Sequence, residues 1–318
     1  MTRDRSFASR FSAPRMITHV TTHYKKQDRS QDKRWAKVNM DRFVDETDIL
    51  VVGGGPAGLS AAIRLRQLCL QHDADYSVRV IEKAADLGMH TLSGAVLEPR
   101  ALEELFPDWK ERGAPLNTPV KEDRIAFLTE GTRIGLPVFS GTLSDNHGNY
   151  VVQLGKVVAW LGEQAEELGV EVFSGQGAVE LLYHEDGAIK GVATNDVGVA
   201  KDGSPKVSFE RGMELHAKLT LLGEGCRGSL TKELLAKLGL ADSCEPQTYG
   251  IGLKELWRID PAKHTPGHVE HTVGWPVDSK TWGGSFLCAT RHPPTRTHPA
   301  RSHARTHAHT HAPLQLPS

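Results

Sequence analysis

Three consecutive glycines, Gly53, Gly54 and Gly55, stand between branched apolar residues and an alanine-rich stretch in ILVVGGGPAGLSAAIRL (49–65). With Gly58 they complete the spacing G-x-G-x-x-G, a pattern suited to cradling the pyrophosphate of a dinucleotide. Glycine makes up 31 of 318 residues, so the bare pattern arises by chance roughly 0.3 times in such a chain and needs its context. That context is a strand, a turn and a helix. DILVV (48–52) is an apolar run of the kind buried on both faces of a parallel sheet, and LSAAIRLRQLCLQ follows with Leu59, Ile63 and Leu70 expected on its inner side. VRVIEK then supplies a second strand ending at Glu82.

Each part of the turn has a physical task. Gly53 makes the tight turn, Gly55 lets the backbone approach a pyrophosphate, and Gly58 lets helix and strand pack closely. The helix N-terminus offers free N–H groups and about half a positive charge to the anion. Val52, Gly54, Pro56, Ala57 and Leu59 complete the stretch expected against the ligand, and Glu82 can accept from both ribose hydroxyls. Glu82 lies 29 positions after Gly53 (53 to 82), against a usual spacing of about 20. The hydrophilic loop QHDADYS (71–77) accounts for the excess.

A second match, GEGCRG at Gly223 to Gly228, follows the strand-like AKLTLL and precedes a helical SLTKELLAKLGL. A separate NADPH site is one reading of it, but no second strand ending in an acid comes after it. The better reading makes Gly225 a further contact to the same cofactor from a later strand of the same sheet, which favours FAD over NAD. Between the two motifs, residues 168–194 read as short strands with a hairpin at Asp186-Gly187.

The remaining composition sets limits. A formal net charge of -1 provides no electrostatic footprint for nucleic acid. No stretch reaches the roughly 18 apolar residues that a spanning helix needs, so any membrane contact is expected to be peripheral. Cys69, Cys226, Cys244 and Cys288 lie far apart without CxxC spacing, and no metal ligand set is assigned to the chain. Residues 1–16 hold Arg3, Arg5, Arg10 and Arg15 against the single acid Asp4; the segment resembles a mitochondrial transit peptide, and a disordered basic arm has the same composition. From Cys288 onward there are six histidines, five prolines and no acid. That tail is expected to stay disordered, and His307, His309 and His311 offer at most loose chelation.

With these parts in order, the chain closely resembles the electron transfer flavoprotein-ubiquinone oxidoreductase family. The resemblance is carried by DKRWAKVNMDRF (32–43), HTLSGAVLEPRALEELFPDWKERGAPLNTPV (90–120), NHGNYVVQLG (146–155), GEQAEELGVEV (162–172), TNDVGVAKDGSPK (194–206), FERGMELHAK (209–218), CEPQTYGIGLKELW (244–257) and HTVGWPVDSKTWGGSFL (271–287). It covers about residues 18–287. The resemblance implies an α/β fold: a Rossmann-like FAD-binding domain of the glutathione-reductase type with part of an α+β quinone-binding domain. It implies FAD and a [4Fe-4S] cluster as cofactors, reduced electron transfer flavoprotein and ubiquinone as partners, and a place on the matrix side of the mitochondrial inner membrane. Ubiquinone contacts map to Gly283 and Gly284. A monotopic membrane segment maps to 87–108, with Leu97, Leu102, Leu105 and Phe106 on one apolar face.

The expected division, with approximate bounds and the FAD and quinone domains interleaved, is a transit peptide and arm over 1–40, an FAD domain over 41–245, the start of the quinone domain over 246–287 and a disordered, unrelated tail over 288–318. Family members continue past the position of Leu287, completing the quinone domain and supplying four cysteines for the cluster, so the chain reads as an incomplete form. No nucleophile, general base or other catalytic residue is assigned, because flavin carries the chemistry. Two alternatives stay open: an inactive FAD-binding fragment, and an FAD-dependent monooxygenase built on the same glycines.

Overall fold

The structure, a computed structural model, describes residues 29–92, 94–138, 145–278, 281, 283–290 and 304–313. The arginine-rich start expected to act as a transit peptide lies outside the described residues. The chain divides into two units, Met1–Asp41 with Asp196–Arg211, and Arg42–Asn195 with Gly212–Ser318.

The larger unit opens with β1 (Val44–Val52), α1 (Pro56–Gln71), β2 (Val78–Glu82), β3 (Gly94–Leu97) and α2 (Arg100–Leu105). It continues through β4 (Glu122–Leu128), β5 (Arg133–Leu136), β6 (Tyr150–Gln153), α3 (Leu154–Glu167), β7 (Glu171–Ser174), β8 (Ala178–Tyr183) and β9 (Ile189–Thr194). Strands β10 (Val197–Val199) and β11 (Pro205–Glu210) belong to the smaller unit. The larger unit then resumes with β12 (Glu214–Leu222), α4 (Ser229–Leu238), β13 (Gly250–Ile259), β14 (His268–Gly274), β15 (Gly284–Thr290) and β16 (Ala304–Pro313).

Its first sheet has the order β7-β2-β1-β12-β9-β8. The first four strands are parallel, with Val52 level with Ile81 on one side and Leu222 on the other. Strands β9 and β8 extend the sheet antiparallel, through the turn at Asp186-Gly187 expected from sequence; Gly187 has φ 87° and the Asp186 carboxylate accepts the Ala188 N–H at 2.9 Å. Side chains alternating along β1 divide the core. Val51 packs with Leu59, Ala62 and Ile63 of α1 and with Val158 and Leu161 of α3, whereas Leu50 and Val52 pack with Leu215 and with Leu230 of α4. Helices thus cover both faces, the arrangement that a parallel sheet of continuous apolar strands requires. Leu59 and Ile63 face inward as expected; Leu70 does not, being 62% exposed, and Cys69 takes the inward position in the last turn of α1.

The second sheet has the order β13-β16-β15-β14-β4-β5, and β3 pairs separately with β6. Strand β14 runs parallel to β4, with His268 opposite Glu122. Within the span 41–245, β4 and β5 pair into the second sheet, and Asp196–Arg211 clusters with the N-terminal arm. The tail departs from expectation, since Cys288–Thr290 end β15 and Ala304–Pro313 form β16 between β13 and β15. Backbone pairing on both edges supplies partners for its N–H and C=O groups, so strand formation there does not depend on large apolar side chains.

In the smaller unit, Trp35 is buried, packs edge-on against Phe209 at 4.8 Å and donates its indole N–H to the Gly203 carbonyl at 3.1 Å. Asp196 joins Arg211 at 2.8 Å and also Arg29, whose guanidinium lies over the Trp35 ring.

The apolar face read in 87–108 points inward. Leu102 and Phe106 are 8% and 3% exposed, and Phe106 meets Trp160 edge-on at 5.7 Å, while Leu97 and Leu105 pack against the same core. Trp109 and Trp160, distant in sequence from one another, close the face that a membrane was expected to cover. Only Met89 and Leu92 of the segment's large hydrophobic residues are well exposed.

Two outcomes follow from this packing. Phe106→Ala is expected to lower the unfolding free energy by about 3–5 kcal/mol in urea titrations, whereas Met89→Asp leaves it nearly unchanged. At the start of the sheet, the Lys218 ammonium at 2.7 Å, with the Ser77 N–H and hydroxyl, holds the Asp48 carboxyl down at about 2 from 3.8. A depressed folded-state value stabilises the protein above the unfolded value and is lost as pH falls through the folded one. Asp48→Asn should therefore flatten the pH dependence of stability between 3.8 and about 2, read as urea midpoints across that window.

Candidate functional site: a dinucleotide cradle

The parallel strands of the first sheet all end at one edge, the edge at which open α/β sheets bind ligands. Val52 and Gly53 stand at its centre, with Glu82 at the end of β2 and Gly223 beyond the end of β12. The Gly53 N–H donates to the Ile81 carbonyl at 2.8 Å and the Gly223 N–H to the Val52 carbonyl at 2.7 Å, so the ladder runs on past the named strands into both glycine motifs.

Close approach explains the glycines. Gly53 has φ +109°, and a Cβ on it would lie 2.4 Å from the Gly223 carbonyl oxygen. A Cβ on Gly58 would lie 2.0 Å from the Gly53 carbonyl oxygen, and one on Gly223 would lie 3.3 Å from that same atom and from the Gly58 Cα. Three backbone segments thus converge where a side chain is excluded at Gly53 and Gly58 and crowded at Gly223. Gly55 and Gly225 are different: a Cβ on either would enter open space. For Gly55 the reason for glycine is therefore not the protein's own packing. For Gly225 the backbone supplies one, since its φ of +78° is strained for any L side chain.

The first turn of α1 carries no side-chain cap, and Pro56 at its start has no N–H to leave unpaired. The N–H groups of Ala57 and Gly58 have no acceptor within the helix, and with the helix dipole they make an anion site. Beside it, the Glu82 carboxylate accepts the Gly54 N–H at 2.9 Å on one oxygen and the Ala84 N–H at 2.8 Å on the other. Each oxygen keeps a second lone pair, which is what two ribose hydroxyls require. The residues present therefore fit a dinucleotide: an open floor at Gly55, an anion-binding helix end and a fixed acidic acceptor.

The second glycine motif is not a second cradle. Its helix, α4, already holds a carboxylate at its N-terminus, because Glu224 accepts from the Leu230 and Thr231 N–H groups at 3.3 and 2.8 Å and from the Thr231 hydroxyl at 2.7 Å. That internal cap, unread in the sequence, takes the place a second pyrophosphate needs. Leu87 was also missed: its side chain reaches Gly54 and, on α3, Gly162, where a Cβ would lie 2.5 and 2.1 Å from it.

Gly283 and Gly284 lie elsewhere, Gly284 opening β15 in the second sheet and Gly283 directly before it. Gly284 is opposite Val273 and crowded by the Thr272 carbonyl, 1.9 Å from where its Cβ would be. Strand pairing alone accounts for that glycine. Among the described residues no group of three or more His, Cys, Asp or Glu is placed to hold a metal ion; Cys69 and Cys288 are buried and Cys226 and Cys244 exposed. No described helix is long and apolar enough to cross a membrane.

The glycine turn and its parallel sheet define a Rossmann-like fold, which solved structures share. Residues 51–107 match the NAD(P)-binding Rossmann-like domain. A geranylgeranyl bacteriochlorophyll reductase-like protein from Thermoplasma acidophilum superimposes with a TM-score of 0.56 at 20% identity, covering 84% of this chain and 57% of that one. PqsL, a probable FAD-dependent monooxygenase from Pseudomonas aeruginosa, does so with a TM-score of 0.51 at 16% identity, covering 83% of this chain and 60% of that one. Residues 249–296 match the ETF-QO ubiquinone-binding family, so the similarity continues past Leu287, where the unrelated tail was expected to begin.

The chain is 62% identical over 280 residues to the mitochondrial electron transfer flavoprotein-ubiquinone oxidoreductase of Bos taurus and 60% identical over 280 residues to that of Homo sapiens, each alignment covering 88% of this chain. The Caenorhabditis elegans protein is 59% identical over 268 residues, covering 84% of this chain. The chain belongs to the electron transfer flavoprotein-ubiquinone oxidoreductase family. It spans about half the length of these relatives, the match covering 45% of each.

The two kinds of glycine separate in a stability measurement. Gly53→Ala is expected to destabilise the fold by about 2 kcal/mol or more, and Gly55→Ala to leave the urea midpoint within about 0.5 kcal/mol of the parent.

Proposed function

We propose that the cradle binds FAD, and that the chain carries the flavin-binding part of an enzyme passing electrons from reduced electron transfer flavoprotein to ubiquinone. The open floor at Gly55 carries the reading, because a packed turn has no use for that vacancy of side-chain space. In it, Val52, Gly53, Gly54, Gly55, Pro56, Ala57, Gly58 and Leu59 hold the pyrophosphate, Glu82 the adenosine ribose, and Gly225 a more distant part of the same molecule. Support for FAD over NAD comes from the second glycine segment, which abuts the first while its own helix end is occupied by Glu224.

Bound FAD supplies the two-electron chemistry. The residues of the chain orient it: Glu82 fixes the turn through Gly54, and Leu87 closes over the same glycine. Ubiquinone would meet the backbone at Gly283 and Gly284, in the stretch similar to the ubiquinone-binding family. The relatives' names place those proteins in mitochondria; for this chain we infer the matrix face of the inner membrane, with Met89 and Leu92 as the exposed apolar residues of 87–108. The [4Fe-4S] cluster implied by the resemblance does not fit the described cysteines, and no step is routed through it.

Purified chain should take up FAD, seen as flavin absorbance and quenched flavin fluorescence, and not NAD. Gly55→Val is expected to weaken FAD at least 100-fold, about 2.7 kcal/mol, with its urea midpoint little changed. NAD uptake without flavin binding, or full FAD affinity in Gly55→Val, would refute the cradle. Ubiquinone-analogue reduction driven by reduced electron transfer flavoprotein, run with this chain and with a form of the relatives' full length, tests the wider activity and separates the oxidoreductase from an inactive FAD-binding fragment.

A further inference from the structure

We propose that His271, held by Asp123, is a proton-transfer group for the quinone, with its Nε2–H turned to Asp123 and its Nδ1 presented toward the quinone side. The proposal rests on the reading of Gly283 and Gly284 as the quinone contact.

Two buried polar atoms carry it. Asp123 Oδ1 and His271 Nε2 both lack a hydrogen-bond partner among the described residues, and they face one another at 3.8 Å. A lone buried carboxylate oxygen and a lone buried ring nitrogen are each unfavourable; together they are complementary once the nitrogen carries the proton. The rest of the pair is held firmly. The other oxygen of Asp123 accepts the Asn146 N–H at 3.0 Å and its side-chain amide at 2.6 Å, and the His271 ring lies against Phe286 with centroids 5.0 Å apart. The His271 side chain is nevertheless 37% exposed, so with Nε2 buried its exposure belongs to the remainder of the ring.

The position is suitable. His271 is opposite Phe286 across the β14–β15 pair and Gly284 is opposite Val273, two residues further on, a rise of about 7 Å. The other ionisable groups of these strands are engaged elsewhere. Glu122, Arg124, Arg133, His268 and Glu270 contact one another, and by strand alternation they lie on the opposite side of the sheet from Asp123 and His271. On the same side, β15 contributes the buried Cys288 thiol opposite Val269. Asp123 is thus the one carboxylate that this side of β4 and β14 presents to the imidazole.

Reduction of a quinone to a quinol takes two electrons and two protons, converting two carbonyl oxygens to hydroxyls. The two electrons would come from the reduced flavin of the proposed cradle. Nδ1 of the neutral Nε2–H ring relays one proton from water to the nearer quinone oxygen, and the ring ends again as the Nε2–H form on Asp123. The second proton comes from solvent.

Nitrogen NMR of the labelled, FAD-loaded chain reads the tautomer directly, with ubiquinone-1 and ubiquinol-1 as probes. The expected result is an Nε2–H tautomer in the parent and a mixed population in Asp123→Asn, which keeps the oxygen that accepts from Asn146. Ubiquinol-1, which can donate to Nδ1, should shift that nitrogen and bind about tenfold more weakly to His271→Phe, while ubiquinone-1 affinity stays the same. A ring nitrogen indifferent to ubiquinol-1, or a tautomer unmoved in Asp123→Asn, while both probes bind, would overturn the role of His271 and leave the quinone site standing. Binding of neither probe to the FAD-loaded parent would overturn the quinone site itself, and with it the proposal.

Discussion

Three backbone segments meet at the edge of the parallel sheet, too close for a side chain at Gly53 or Gly58, and much of the larger unit is arranged around that meeting. Gly53, Gly58 and Gly223 come from the end of one strand, the start of a helix and the end of a strand some 170 residues later (53 to 223). For them to touch, β12 must sit beside β1 in register, with Val52 opposite Leu222. That register is secured well away from the turn, by Leu50 and Val52 packing with Leu215 and Leu230 on one face and Val51 with Leu59 and Ile63 on the other. A parallel strand slipped by one residue would exchange these faces, so the core holds the glycines in contact.

This dependence explains which parts of the fold were legible. Strand, turn, helix and acid (Val44 to Glu82) form a local unit whose hydrophobic pattern and turn chemistry agree, and they appear where the residues indicated. The hairpin at Asp186-Gly187 is likewise local. What local pattern could not reveal was the company each element keeps. Strand β4 lies within the span 41–245, yet its parallel partner β14 arrives 146 residues later (122 to 268). The N-terminal arm and the segment 196–211 form one small unit because Trp35 needs Phe209 and the Gly203 carbonyl, a pairing invisible to any periodicity.

The apolar stripe of 87–108 shows the same limit in a sharper form. Leu102 and Phe106 have the same spacing whether they face lipid or protein, and hydrophobic periodicity records only that they face something apolar. Trp109 and Trp160 decide the matter by closing over Phe106 and Leu102 in the core. At the candidate site, residues with backbone roles were readable because glycine has few reasons to be repeated at fixed spacing. Leu87 and Glu224 were not, since a leucine in a loop and a glutamate between glycines have many uses. Asp123 and His271 lie on strands that only the sheet brings together.

For the proposed FAD cradle, the Glu82 contacts bear on how an anionic ligand would be accepted beside a carboxylate. A carboxylate aimed at the ligand site would repel a pyrophosphate and cost desolvation if left free. Here both of its oxygens are engaged by the Gly54 and Ala84 N–H groups, donors on either side of the strand end. The charge is thereby spread into backbone dipoles and offset from the end of α1, where the N–H groups stay available. The same two bonds tie the glycine turn to the loop after β2, from which Leu87 reaches back over Gly54. Turn, acid and loop are thus ordered by one another, and a ligand entering the cradle meets donors and acceptors already in place.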